Sequence, residues 1–354
     1  MGNSRQTGID ILKSFAIFSI IAQHFFTLQT PFLHTEYKGL SMLIQGVAME
    51  FFLIGVPLFV AITGYLNANK TISKQYYRNI LKVLIPYLLI SIIFIFAKKY
   101  LFGVTITIRN AVGAILRFNA IPYGWYIEMW IGLYLLAPFF NTLFNNIQSK
   151  KNAIILLITL ALLTILPTAT NRFGFHLLPG FWTSLWPLLC YYIGAYIRKY
   201  QPIVKSAHLI AFIIICCSIE PLLNIVLFPG HDYVFVIGSS LLLYPVMAAF
   251  FILLYNADVK NKPLKAILAK TSDLTLYTYL ICALFDMLLY PVFLKHYESQ
   301  QQFGLYFLII VPILFALSSL ASLIFDCLIK VLRINRIWLK KGSLEVPITK
   351  KADK

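Results

Sequence analysis

Ten runs of predominantly apolar residues follow one another along this chain of 354 residues. About 20 apolar residues in an α-helix cross the hydrocarbon core of a bilayer, and most of the runs reach that length. Backbone in lipid must satisfy its hydrogen bonds internally, so we expect an all-α polytopic membrane protein, a bundle of about ten transmembrane helices. The runs cover approximately residues 8–28, 40–67, 80–101, 124–145, 152–168, 178–197, 208–228, 233–255, 273–293 and 304–329.

The composition excludes a water-soluble globule. Hydrophobic residues make up 60% of the chain and charged residues only 12%, whereas soluble domains are about 25% charged. The net charge of +17 would suit nucleic acid, but the basic residues lie between apolar runs, so we expect no nucleic-acid partner. They concentrate in alternate connections and at both ends, which predicts a multi-pass protein of the cell (plasma) membrane with cytoplasmic N- and C-termini.

One transmembrane domain is expected over residues 1–333, followed by a basic cytoplasmic tail over 334–354. The first run lacks a small-residue cleavage site, so we interpret it as an uncleaved span. Gly55-Val-Pro57 predicts a break inside the second run. The cysteines lie inside apolar runs without ligand-type spacing, and we therefore expect neither a disulfide framework nor a metal site. They are Cys190, Cys216, Cys217, Cys282 and Cys327.

Three ionisable residues interrupt the first apolar run, GIDILKSFAIFSIIAQHFF at 8–26. At 100° per residue Asp10, Lys13 and His24 share one helical stripe, with His24 about 16 Å along the helix from Lys13. Asp10 and Lys13, one turn apart, can pair. Ionisable groups inside a span usually face protein or a watery cavity and serve a function there. A purely structural hydrogen bond of His24 is the alternative.

A second candidate is the basic pair Arg78 and Lys82, four residues apart at the start of the third run. The Arg side chain offers a bidentate fork to phosphates or carboxylates, and Lys adds a point charge. Taken alone, the pair is better explained by ordinary anchoring of the span by snorkelling side chains.

The third candidate lies in GWYIEMWIGLYLLAPFF, residues 124–140. Trp125 and Tyr126 stand where the fourth span enters from outside, the usual position of an aromatic belt. Glu128 shares the face of Trp125. A ring beside a carboxylate also suits a sugar-binding cleft, and both interpretations stay open.

Four more acids occur within apolar runs, and no spacing indicates their partners. They are Glu50, Glu220, Asp286 and Asp326. Nucleophile elbows, phosphate-binding loops, dinucleotide glycines and zinc HExxH motifs are absent from the sequence. A hydrolase or nucleotide enzyme of familiar soluble type is therefore not indicated.

Taken together, these residues resemble the integral-membrane acyltransferase family 3, whose members acylate sugars of surface glycans. The likeness begins with Arg5, an acid and a base soon after it, and His24 late in the first span. It continues in VPLFVAITGYL at 56–66, in the basic pair leading into Pro86-Tyr87, and in WYIEMWIGLYLLAP at 125–138. It thus covers nearly the whole chain.

The resemblance implies transfer of an acyl group, usually acetyl, from cytoplasmic acyl-CoA to a hydroxyl of a cell-surface or lipid-linked glycan. An imidazole can act as general base or carry the acyl group transiently, and the resemblance assigns that role to His24, with Asp10 as a second catalytic candidate. It implies donor binding by Arg5, Lys13, Arg78 and Lys82. Trp125, Tyr126 and Glu128 would bind the carbohydrate. No metal is expected; membrane lipids are the other partners.

Two positions depart from the family pattern. Asn79 follows Arg78 where members often have a further Arg, and TLYTYLICALF carries Cys282 where many have a His. The chain ends soon after the last run, so we expect a stand-alone membrane acyltransferase. The alternative is an exporter of polysaccharide or lipid-linked glycan, since buried acids and a His also suit proton coupling. Against it, no matched pair of broken helices marks two inverted halves.

Overall fold

The computed structural model describes residues 5–171, 178–234, 239–335 and 337. These residues form fifteen α-helices with short 3₁₀ and π turns and no strand, so the predicted all-α class is confirmed. The helices are α1 Thr7–His24, α2 Gly39–Phe52, α3 Gly55–Asn67, α4 Lys74–Arg78, α5 Leu81–Tyr100, α6 Ile108–Leu116, α7 Trp125–Asn145, α8 Lys150–Thr164, α9 Leu166–Thr170, α10 Trp186–Tyr200, α11 Ser206–Leu227, α12 Ser239–Leu254, α13 Lys262–Phe293, α14 Gln300–Phe303 and α15 Phe307–Val331.

Eight helical segments of the described residues are long and apolar enough to cross a membrane. They are Thr7–His34, Gly39–Asn67, Lys74–Tyr100, Trp125–Asn145, Lys150–Thr170, Ser206–Leu227, Lys262–His296 and Gln300–Val331. The two other predicted spans correspond to the shorter helices α10 and α12. The count of about ten spans and the orientation of the termini stay predictions, and most of the predicted tail lies outside the described residues.

The predicted break in the second run is confirmed. Helix α2 ends at Phe52 and α3 begins at Gly55. Pro57 has no N–H to offer the carbonyl of Leu53, four residues earlier, which interrupts the helical ladder. Helix α1 crosses at this point, because a Cβ on Gly55 would lie 2.9 Å from a side-chain carbon of Ile20. The break therefore brings the second segment close to the first.

Helix α1 lies inside the bundle, packed against α3 and α13. Helix α3 in turn packs closely on α10, and two glycines make that contact possible. A Cβ on Gly64 would overlap the backbone oxygen of Tyr191, and a Cβ on Gly194 would overlap that of Ala61. Small residues allow this backbone approach between membrane helices. Because α3 and α13 both pack against α1, its polar residues face protein on more than one side.

Candidate functional site

His24 is the last residue of α1 and lies deep in the bundle, 4% exposed. Its Nδ1 is 3.3 Å from Oδ2 of Asp286 on α13. The imidazole also lies against the phenol ring of Tyr123, with ring centroids 4.0 Å apart. The polar stripe of the first span thus ends at a carboxylate 262 residues away in sequence.

Tyr123 and Asp286 extend this contact into a hydrogen-bonded chain. The Tyr123 hydroxyl donates to Oδ2 of Asp286 at 2.7 Å, and Gln29 Nε2 donates to the Tyr123 hydroxyl at 3.3 Å. Burial and the neighbouring Asp286 raise the pKa of Tyr123, so this phenol stays protonated and keeps donating. Tyr279 on α13 donates its own hydroxyl to the backbone oxygen of Tyr123 at 2.7 Å, which fixes the turn before α7.

The second carboxylate oxygen of Asp286 takes no part in these hydrogen bonds. This Oδ1 is buried and has no hydrogen-bond partner among the described residues. A buried acceptor without a donor costs about 1–3 kcal/mol. The carboxylate therefore keeps one acceptor oxygen to which a further O–H or N–H group could donate.

Cys282 lies one helical turn before Asp286. Ligand atoms of His24, Cys282 and Asp286 all lie within 4.8 Å of one another, so the three could hold a metal ion. In the present arrangement the Cys282 thiol donates to the backbone oxygen of Tyr279 at 3.2 Å. The His and Asp make the contact described above. The three groups are thus engaged in hydrogen bonds, and the expectation that no metal takes part stays a prediction.

At the N-terminal end of α1, Arg5 forms ion pairs with two carboxylates. Its guanidinium donates to both oxygens of Asp10, at 2.7 and 2.9 Å, and to Asp273 of α13 at 3.0 Å. These bonds raise the pKa of Arg5, the one to Asp10 most. The predicted pairing of Asp10 with Lys13 is thus replaced, because Arg5 reaches both carboxylates with one planar fork. Asp10 lies about 21 Å along the helix from His24, so it does not touch the imidazole.

Two neighbouring cavities open beside α1. The mouth cavity, about 330 Å³, includes Arg5, Asp10, Lys13, Lys70, Arg198 and Asp273 in its lining. The inner cavity, about 310 Å³, includes Lys13, Thr63, Leu66, Tyr126, Trp130 and Tyr279. Lys13 and Leu66 line both cavities, which therefore adjoin.

The inner cavity reaches the tyrosines that surround Tyr123. The rings of Tyr126 and Tyr279 lie 5.2 Å apart, and those of Tyr279 and Tyr123 lie 6.4 Å apart. His24 lines neither the mouth cavity nor the inner cavity. Tyr123 therefore lies between the end of the inner cavity and the imidazole.

The remaining residues predicted to bind the donor or the sugar lie in different surroundings. Arg78 donates to the backbone oxygen of Ile337 at 2.7 Å, Lys82 is exposed, and neither lines the two cavities beside α1. Tyr126 is buried, whereas Trp125 is 47% exposed and Glu128 is exposed on the same side of α7. The three candidate sugar-binding residues thus do not face one space.

Other acids of the spans have partners of their own. Glu50 accepts from the Tyr233 hydroxyl at 2.9 Å, and Asp326 accepts from Lys270 and Lys330 at 2.7 and 2.8 Å. Among the intramembrane acids, Asp286 is the one that meets His24. The sequence marked Asp286 only as an unassigned acid one turn after Cys282, and no sequence signal singled out Tyr123.

A sequence model of a protein family, described as an acyltransferase domain of family 3, matches residues 6–323. No curated protein and no solved structure matches the chain.

Proposed function

The chain belongs to the acyltransferase family whose sequence model spans residues 6–323, and we propose that it transfers an acetyl group from acetyl-CoA to a hydroxyl of a cell-surface or lipid-linked glycan. The donor approaches from the cytoplasm, where we also place both termini. The distribution of Lys and Arg along the sequence supports this orientation. So does the cationic mouth cavity at the end of the bundle that carries Arg5.

The contact of His24 with Asp286 carries the proposal. A proton on Nδ1 is directed to the carboxylate at 3.3 Å, which leaves the lone pair on Nε2. The carboxylate fixes that tautomer and stabilises the imidazolium that forms when Nε2 takes up a proton, as in other His–Asp pairs. A buried imidazole held in this way is equipped for general base catalysis.

In the reaction the acceptor hydroxyl loses its proton to Nε2 of His24 and its oxygen attacks the thioester carbonyl. The carbon–sulfur bond breaks, and the CoA thiolate leaves and takes up the proton from the imidazolium. If His24 instead carries the acyl group, the same Nε2 attacks the thioester first and the hydroxyl then attacks the acyl-imidazole. Both routes use the same atom of His24. In rapid-quench kinetics, a burst of CoA release would indicate the route through the acyl-imidazole.

The unpartnered Oδ1 of Asp286 supports a glycan as acceptor, because a sugar carries several neighbouring hydroxyls. One hydroxyl that donates to this oxygen would hold a neighbouring hydroxyl of the same sugar near the imidazole. The proton of that second hydroxyl, the one that is acylated, stays available to Nε2. Orientation of this kind contributes strongly to catalysis because it replaces an encounter in solution. Trp125 and Glu128, exposed at the start of α7, are the residues we propose to bind more distant sugar units.

The test uses membranes containing the wild-type protein, supplied with acetyl-CoA labelled in the acetyl group and with the host's glycans. We expect label in the glycan fraction for the wild type and its loss, by at least about 100-fold, for His24→Gln, because general base catalysis contributes about 10²–10⁴-fold. His208→Gln, which changes an exposed histidine on α11, serves as the matched control. Normal labelling by the His24 variant would contradict the assignment. Glycan export without any acetyl transfer would favour the exporter.

A further inference from the structure

We infer that Lys70 and Arg198, neither of which the sequence marks, bind phosphate groups of the CoA donor, while the inner cavity holds the pantetheine arm. The inference rests on the proposed function, since it specifies how the same site takes its donor. It assigns the phosphates to the mouth cavity rather than to Arg78 and Lys82, which line neither cavity beside α1.

The first support is the charge balance of the mouth cavity. Arg5 is engaged by the carboxylates of Asp10 and Asp273. Of the described carboxylates, none forms an ion pair with the three other cations of the cavity. These cations are Lys13, Lys70 and Arg198. Positive charge in a concave site of this kind attracts phosphate groups.

The second support is that the two assigned cations come from well-held segments. The guanidinium of Arg198 lies over the ring of Tyr65, 5.1 Å from its centroid, and donates to the Tyr65 hydroxyl at 3.3 Å. The backbone oxygen of Lys70 accepts from the side chain of Asn141 at 2.8 Å. Arg198 therefore has further N–H groups to offer, and Lys70 sits on an anchored turn after α3.

The third support is the match between the cavities and the shape of the donor. CoA carries its phosphates at one end and a thin uncharged arm that ends in the thioester. The inner cavity begins at Lys13, where the mouth cavity ends, and has mostly apolar walls with polar groups such as Thr63 and Thr275. From Lys13 to His24 the helix rises about 16 Å. An arm in the inner cavity points its thioester at Tyr126 and Tyr279, the residues next to Tyr123.

The cations of the mouth cavity could also receive the phosphate of an anionic lipid, which shares this chemistry. The experiment therefore uses purified protein in nanodiscs made from zwitterionic lipid alone and, in parallel, with added anionic lipid. Acetyl transfer to the glycan acceptor is measured with two donors, acetyl-CoA and acetyl-pantetheine, which lacks the nucleotide and its phosphates.

We expect Arg198→Gln and Lys70→Gln each to raise KM for acetyl-CoA about tenfold, the factor that corresponds to losing one charged hydrogen bond. KM for acetyl-pantetheine and kcat should change little. Lys205→Gln, an exposed charge between α10 and α11, is the matched control. Retention of kcat shows that the variants fold, and calorimetric titration with CoA gives the same affinity loss without turnover.

The donor-site inference is overturned if KM for acetyl-CoA stays at the wild-type value in both variants, or if the two donors are affected equally. A defect that appears only with anionic lipid assigns the cations to a lipid headgroup and also overturns it. If the wild type transfers acetyl from neither donor, the proposed function itself fails. That result is distinct from a wild type that works and variants that do not differ from it.

Discussion

Replacing Asp286 by Asn tests the central contact of the candidate site. The amide keeps the shape of the carboxyl group but removes its negative charge. In the wild type, Oδ2 of Asp286 lies 3.3 Å from His24 Nδ1 and accepts a hydrogen bond from the Tyr123 hydroxyl at 2.7 Å. A hydrogen bond to a charged group contributes about 1.5–3 kcal/mol. If that stabilisation acts on the imidazolium of the transition state, kcat falls roughly 10- to 150-fold.

A second variant, Tyr123→Phe, removes one donor to the same carboxylate oxygen and leaves Asp286 in place. A neutral donor contributes about 0.5–1.5 kcal/mol, so we expect a decrease in kcat of roughly 2- to 13-fold. Because both residues act through one oxygen, their effects should not multiply. The double variant should resemble Asp286→Asn alone.

The assay is kcat for acetyl transfer at saturating acetyl-CoA and acceptor, with size-exclusion profile and circular dichroism to show that each variant folds. The reasoning is refuted if folded Asp286→Asn retains kcat within twofold of the wild type. It is also refuted if the losses of Tyr123→Phe and Asp286→Asn multiply in the double variant, because independent sites behave in that way.

Two further substitutions test other parts of the fold. Cys282→Ala should retain most of the acetyl transfer. Elemental analysis of the purified wild type should find no stoichiometric metal. A metal ion that is bound in the wild type and lost in this variant would contradict the hydrogen-bonded interpretation of the cluster. Gly194→Ala should lower the stability of the folded protein by about 1–3 kcal/mol, as overpacking does, because its Cβ would overlap the Ala61 backbone oxygen. Thermal denaturation in detergent measures this loss of stability. The control is Gly132→Ala, because a Cβ at that position meets nothing within 4 Å. Equal melting temperatures of the two variants would contradict close packing of α3 on α10.

The sequence alone determined the features that depend on local order along the chain. Apolar runs long enough for a bilayer indicated an all-α membrane protein, and Pro57 marked the interruption between α2 and α3. The stripe formed by Asp10, Lys13 and His24 showed that α1 faces polar surroundings. Each of these conclusions follows from hydrophobicity, helix periodicity or the missing N–H of proline, which act within a few turns of one helix.

Only the tertiary structure decided which side chains meet. It brought Asp286 to His24 across 262 positions of sequence, joined Arg5 to Asp273 of α13 across 268 positions, and placed Arg198 in the mouth cavity. The physical reason is that an ion pair between helices depends on which helices are neighbours and on their relative rotation. The residue pattern of one span indicates that the helix has a polar face. The packing of the bundle decides which residues of other helices that face contacts.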